Sequence, residues 1–364
     1  MKRMAILASI VGAGLVATGL SAQGLPGIEP IEQVSDNVYK IFGAGGNTTV
    51  FVRSDGVALV DTKLANNGEA ILEQVRKITD KPVTLIINTH SHPDHMGSNA
   101  EIHAKGNVRI VAHANSVRRM AAMPNTPPSE RFDGTMTLGT GADQIDLHYF
   151  GAAHTDGDAF IVFPAEKTLL VGDVMAWDMG PLIDPMSGGS MVATPETVGK
   201  AAATITGIDK VVEGHGHVNT WDGFLRYLAY TQKVVEVAKK AVAEDLDYVQ
   251  AYDKYFATDS AMAAYTSEEI KPGLEYGGTP KSRSYNNIYV AIMELRGEDV
   301  PLIMGAPPPP GSPPPAPRGA GGPGGQGARG PAGTPPPGAP GAGSQPPPGA
   351  VPTPSEHANH ANHN

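Results

Sequence analysis

The chain contains no cysteine. No disulfide, thiolate metal ligand or thiol nucleophile is available to it, and its N-terminus cannot be lipidated in the manner of bacterial lipoproteins. Basic residues are in the minority, 27 Lys and Arg against 37 Asp and Glu for a net charge of −10. That balance argues against a general nucleic-acid binder. Long apolar runs are missing except at the start. There Lys2 and Arg3 precede an apolar, small-residue stretch over 5–20, and Gly19, Ser21 and Ala22 offer cleavage points. The pattern over 1–22 is that of an export signal, and the run is short and glycine-rich for a membrane span. The expectation is a periplasmic or secreted protein that meets a membrane only during export.

The other end also lacks large apolar residues. From Ala306 to about Ser355 proline and glycine dominate, without the strict glycine triplet of collagen. Such a tail, assigned to 306–364, cannot bury a core and is expected to be disordered and partly polyproline II. It closes on His357, His360 and His363. Metal scavenging and no function are both open for this tract.

Between these ends stands Thr89-His90-Ser91-His92-Pro93-Asp94-His95. An apolar run of buried-strand type, 83–88, leads into it, and a turn with Ser98 or Asn99 near a helix N-cap follows. His90 and His92 are two apart, so an extended segment points both the same way. Pro93 suits the tight turn needed to bring Asp94 and His95 inward. Imidazoles with a carboxylate suit zinc, and also iron or manganese. The whole pattern reads as a metal loop rather than a solvated polar one.

The pattern recurs along the chain. Residues 38–42 and 48–52 read as a hairpin, and 57–60 as a strand that delivers Asp61. Residues 66–79 have helical spacing. Strands at 108–112, 144–150, 159–163, 168–171 and 210–213 follow, and they deliver His113, His154, Asp173 and His215 among them. Residues 194–205 read as a helix capped by Thr194 with Pro195 in its first position. Asp61, the His90 cluster, His154, Asp173 and His215 all sit in turns just beyond apolar strands. Convergence on one rim of a sheet follows, where open α/β folds place their ligands. Residues 222–243 and 284–296 have helical spacing and read as an outer layer with a C-terminal extension.

These residues, in this order, resemble the metallo-β-lactamase superfamily. The motifs are Leu59-Val60-Asp61, T-H-S-H-P-D-H at 89–95, G-A-A-H-T-D-G-D at 151–158, L-V-G-D at 170–173 and E-G-H-G-H at 213–217. The resemblance implies an α/β fold, a four-layer αββα sandwich, over 30–220, with the helical extension at 221–305. It implies one zinc held by His90, His92 and His154, a second by Asp94, His95 and His215, and Asp173 between them. Asp61 would steady the metal loop. Familiar secreted β-lactamases of the family carry arginine at the His95 position and cysteine at the Asp173 position. This chain has neither, which brings it closer to the glyoxalase II, lactonase and broader hydrolase branches.

The expected activity is that of an exported dinuclear zinc hydrolase. Its substrate is a small carbonyl compound, a thioester, lactone or β-lactam, attacked by a hydroxide shared between two metals. Asp94 is the expected catalytic residue, orienting the hydroxide and shuttling its proton. The alternative is a mononuclear iron dioxygenase acting on persulfides, since one branch of the superfamily uses ligands of the His90, His154 and Asp173 type. Oligomeric state is not legible. His103, His148, His113 and His217 read as ordinary histidines, and Arg118 and Arg119 as a solvated helix face. Met175, Trp177, Met179, Met186 and Met191 surround a loop that is either core or an apolar substrate wall.

Overall fold

The computed structural model of the protein describes residues 27–123, 126–127, 129–270, 278–303 and 307–311. The export signal at 1–22, part of the proline-bearing loop at 124–134 and nearly all of the tail lie outside them.

Among the described residues, the first sheet holds β1 (Glu32–Gln33), β2 (Val38–Ile41), β3 (Thr48–Arg53), β4 (Gly56–Val60), β5 (Val83–Asn88), β6 (Arg109–His113) and β7 (Glu130–Phe132), side by side in chain order. The second holds β8 (Thr135–Leu138), β9 (Ile145–His148), β10 (Phe160–Phe163), β11 (Thr168–Gly172), β12 (Lys210–Glu213) and β13 (Val218–Thr220), again in order. The helices are α1 (Gly68–Arg76), α2 (Pro93–Met96), α3 (Asn99–Gly106), α4 (Ala114–Ala121), α5 (Thr194–Thr204), α6 (Trp221–Glu244), α7 (Tyr248–Ala251) and α8 (Pro280–Arg296). β1 to β4 pair antiparallel, and β4 to β7 run parallel, with the helices α1 to α4 in the crossovers. In the second sheet only β11 and β12 are parallel, and α5 connects them.

Both sheets are mixed, and each strand must satisfy two apolar surroundings. β4 is buried along its whole length. Its period of two sends Ala58 and Val60 toward the second sheet and Val57 and Leu59 toward the helices. Between the sheets Phe51 stacks on Phe163 with centroids 4.4 Å apart. Outside the first sheet Leu59 and Ile86 meet Ile71, Ile102 and Met120 of α1, α3 and α4. Outside the second, Phe160 and Val171 meet Val198 of α5, Phe224 and Val234 of α6 and Ile288 of α8. The result is a four-layer αββα sandwich with C-terminal helices.

Helix boundaries follow capping chemistry. Thr220 caps α6, its hydroxyl accepting from Gly223 N at 3.1 Å. α8 starts four residues earlier than its apolar spacing suggests, because Thr279 and Ser282 form a reciprocal capping box and Pro280 fits the first turn. α5 corrects the expected cap: Thr194 is already helical and Ala193 stands at the N-cap. The Thr194 hydroxyl donates to Ser190 O at 2.6 Å instead.

Candidate metal centre

Strand ends bring the site together. β5 delivers Thr89 and His90, and the segment stays extended through His92, whose φ of −69° and ψ of 145° place it at the N-cap of α2. Pro93 then opens the single helical turn of α2, which turns Asp94 and His95 back toward the strand end. His154 follows β9, Asp173 follows β11 and His215 follows β12. The structure thus gathers all seven side chains expected from the sequence. Their ligating atoms form overlapping groups, each within 4.8 Å: His90, His92 and His154; His90, His95 and Asp173; Asp94, His95 and His215.

Four of the five imidazoles are fixed by a partner on the nitrogen that faces away from the centre. The Thr89 hydroxyl donates to Asp61 at 2.7 Å, so it accepts from His90 Nδ1 at 3.0 Å. His90 Nε2 then carries a lone pair, and it is buried with no hydrogen-bond partner. His92 Nε2 meets Asp184 at 2.8 Å, which leaves Nδ1 facing inward, 3.0 Å from His154 Nε2. His154 Nδ1 bonds to the Leu182 carbonyl. His95 Nδ1 meets Asp61 at 2.8 Å. Its Nε2 lies 3.2 Å from Asp173 and 3.3 Å from His215 Nε2. Such outer partners set tautomer and ring orientation in metal sites.

The donor set fits metal ions. An orphaned, buried imidazole nitrogen is costly unless a cation takes its lone pair. Burial, aided by neighbouring imidazoles, pushes His90 well below the usual histidine range, and burial takes His154 down to about 4. Both are therefore neutral donors. Burial also opposes charge on His95, but Asp173, Asp94 and Asp61 outweigh it and hold His95 well above its usual range. His215 is raised to about 9 by Asp173 and Asp94 against the effect of burial. Three carboxylates converging on two imidazoles make a strongly anionic pocket, which favours positive charge.

Close packing shapes the centre. A Cβ on Gly46, in the β2–β3 hairpin loop, would lie 2.3 Å from His95 Cε1, and one on Gly214 would lie 1.9 Å from Asp173 Oδ1. Asp61 has a φ of 62°, and Trp177 and Asp178 have 60° and 50°. Left-handed backbone in non-glycine residues is uncommon and concentrates at functional sites. The indole of Trp177 stacks on His215, centroids 4.6 Å apart. His90, His95 and His154 are fully buried, whereas the Asp94 side chain is 31% exposed, which sets the solvent side of the centre.

A model of the metallo-beta-lactamase superfamily matches residues 42–193, which include six of the seven side chains. Over that stretch the chain is similar to the metallo-β-lactamase superfamily. The relatives it matches are metallo-beta-lactamases, which are metal-dependent hydrolases, and this chain is an enzyme similar to them. A metallo-beta-lactamase of Chryseobacterium indologenes is 23% identical over 207 residues, 54% of this chain and 83% of that protein. Metallo-beta-lactamase type 2 of Elizabethkingia meningoseptica is 26% identical over 185 residues, 48% of this chain and 73% of that protein. Among solved structures, the metallo-beta-lactamase from Pontibacter korlensis is similar at 18% identity, covering 57% of this chain and 99% of that one, with a TM-score of 0.49.

The superfamily motifs do not name every residue that shapes the centre. Asp184 and the Leu182 carbonyl orient two imidazoles, and neither falls in a motif. An Asp-Pro pair in a loop was the one available signal. Of the residues around that loop, Met175, Met179 and Met191 are core, Met186 is exposed, and Trp177 alone reaches the centre. Arg119 is not a solvated face: it ion-pairs with Asp156 in the turn after His154, through Nη2 at 2.9 Å and through Nη1. His113 stacks on Tyr149 at 3.8 Å, caps α4 by accepting from Asn115 N and bonds to the Asp133 carbonyl. It lines a separate surface cleft with Arg118 and Asp133. His103 bonds to the Val108 carbonyl, and His217 is exposed.

Proposed function

We propose that the protein is an exported dinuclear zinc hydrolase acting on a small carbonyl compound: a thioester, lactone or β-lactam. The observation that carries this reading is the convergence of two complete triads, His90, His92 and His154 beside Asp94, His95 and His215, with Asp173 within reach of both. The first triad would hold one ion and the second another. When bound, the ions supply a Lewis acid for the carbonyl oxygen and bring hydroxide within reach of neutral pH.

The chain's own groups do the rest. Burial tends to raise the Asp94 carboxyl, but His95 and His215 outweigh it and hold it well below the usual carboxylate range. Asp94 therefore stays ionised, accepts a hydrogen bond from the attacking water and orients it. Its exposure leaves it free to carry the proton to the leaving group. Trp177 offers an apolar wall beside His215. The two relatives named as metallo-beta-lactamases support the β-lactam among the three substrate classes. The imidazole at His95 and the carboxylate at Asp173 support the thioester and lactone.

Turnover of a panel containing nitrocefin, a lactone and a thioester by the zinc-loaded protein tests the class. At least one should be hydrolysed at a rate abolished by a chelator and restored by zinc. Activity only with iron and a persulfide, consuming oxygen, would replace the hydrolase with an oxygenase. Export is supported by the basic and apolar start of the sequence. N-terminal sequencing of the mature protein should begin near Ala22 to Leu25. Among the described residues no helix is long and apolar enough to cross a membrane.

A further inference from the structure

α8 carries three polar residues on one side, Arg283, Asn287 and Glu294, four and then seven residues apart. Arg283 and Asn287 are buried, at 4% and 2% exposure. All three meet a single segment, the one that leaves Asp173 and runs to α5. Arg283 lies over the ring of Trp177, 5.9 Å from its centroid. Asn287 Nδ2 donates to the Pro181 carbonyl at 2.8 Å, and its Oδ1 accepts from the Tyr230 hydroxyl at 2.7 Å. Glu294 accepts from Ser190 Oγ at 2.5 Å, from Met191 N at 2.7 Å and from Val192 N at 3.2 Å.

That segment touches three of the five central imidazoles. Trp177 stacks on His215, the Leu182 carbonyl takes the Nδ1 proton of His154, and Asp184 takes the Nε2 proton of His92. The peptide that Asn287 holds is the one next to Leu182. There is no slack in the contact, since a Cβ on Gly180 would lie 2.1 Å from the Tyr230 hydroxyl and 2.3 Å from Asn287 Oδ1. Burying polar groups carries a desolvation cost unless they are hydrogen-bonded, and the bonds that offset it here go largely to this segment. The stretch matched to the superfamily ends at residue 193, so α8 lies beyond it.

We propose that α8 is a positioning element of the metal centre: Asn287 and Glu294 fix the segment that orients His92 and His154. This rests on the reading of those two histidines as metal ligands. The test is zinc affinity of the full chain, by competition with a chromophoric chelator well below the melting temperature. The variants are Asn287→Leu, which keeps the shape, and Glu294→Gln. The control is Tyr289→Ala, which removes packing of α8 on Tyr248 of α7. Both positioning variants should weaken the tighter zinc step about tenfold, at the lower end of losses for outer partners of metal ligands. The control should lose stability to denaturant at unchanged zinc affinity. Unchanged affinity in the two variants, or an equal loss in all three, overturns the proposal. A wild-type chain that binds no zinc overturns the ligand reading itself and this proposal with it.

Discussion

Single residues divide into those that touch the reaction and those that hold the frame. Asp94→Asn keeps the size of the side chain and removes the charge that, in the proposed mechanism, orients water and carries the proton. A fall in kcat of about 10²–10⁴ is expected with metal content retained, the typical worth of positioned proton transfer. Near-normal kcat with full metal content would remove Asp94 from the mechanism. Lys63 belongs to the frame. Its amino group is fully buried and donates to the Ile41 and Gly46 carbonyls at 2.7 and 2.9 Å, which ties the end of β4 to the hairpin loop under His95. Burial, only partly offset by Asp61, lowers its pKa from 10.5 to about 7. Between those values the unfolded chain binds the extra proton, so stability from this group rises with pH, by up to about 1.4 kcal/mol per unit. Denaturant unfolding from pH 7 to 10 should therefore show a slope of stability with pH that is more positive in the native sequence than in Lys63→Met. A slope unchanged by the substitution would contradict it.

At the scale of elements, the β2–β3 hairpin loop is a template for His95. Gly46→Ala places a methyl group in the imidazole, and the ring must move. Zinc content should fall toward one per chain with the fold retained by circular dichroism, and an alanine variant with full zinc and activity would show that the loop yields. The elements that carry the centre were legible because each is a short apolar strand ending in a polar turn. That pattern leaves no other way to bury β5, β11 and β12. β1, β7 and β13 were not legible, being two or three residues long and partly exposed at the edges of their sheets. α8 was legible as a helix, but its role was not. Arg283, Asn287 and Glu294 look like the solvated side of any helix until their partner segment, more than ninety residues earlier, is folded against them. Asp184 and Leu182 were hidden for the same reason: a side chain or carbonyl that orients a ligand has no spacing rule of its own.

For the whole molecule, the order of strands in both sheets follows the chain, so each site motif reaches the same rim by a local connection. The described chain stays attached beyond α8. Tyr248 donates to the Pro308 carbonyl at 3.1 Å and Pro307 is buried. The composition of 312–364 supplies no core. A chain ending at Gly311 should keep its melting temperature and turnover, and a clear fall in either would show that the tail contributes to the folded enzyme. The central claim is that seven side chains hold two ions. Elemental analysis of the purified, zinc-loaded protein tests it most directly. About two equivalents per chain are expected, the number a two-metal site requires, with one lost in His90→Ala or His215→Ala. A consistent value of one, in protein with full activity, would contradict the account.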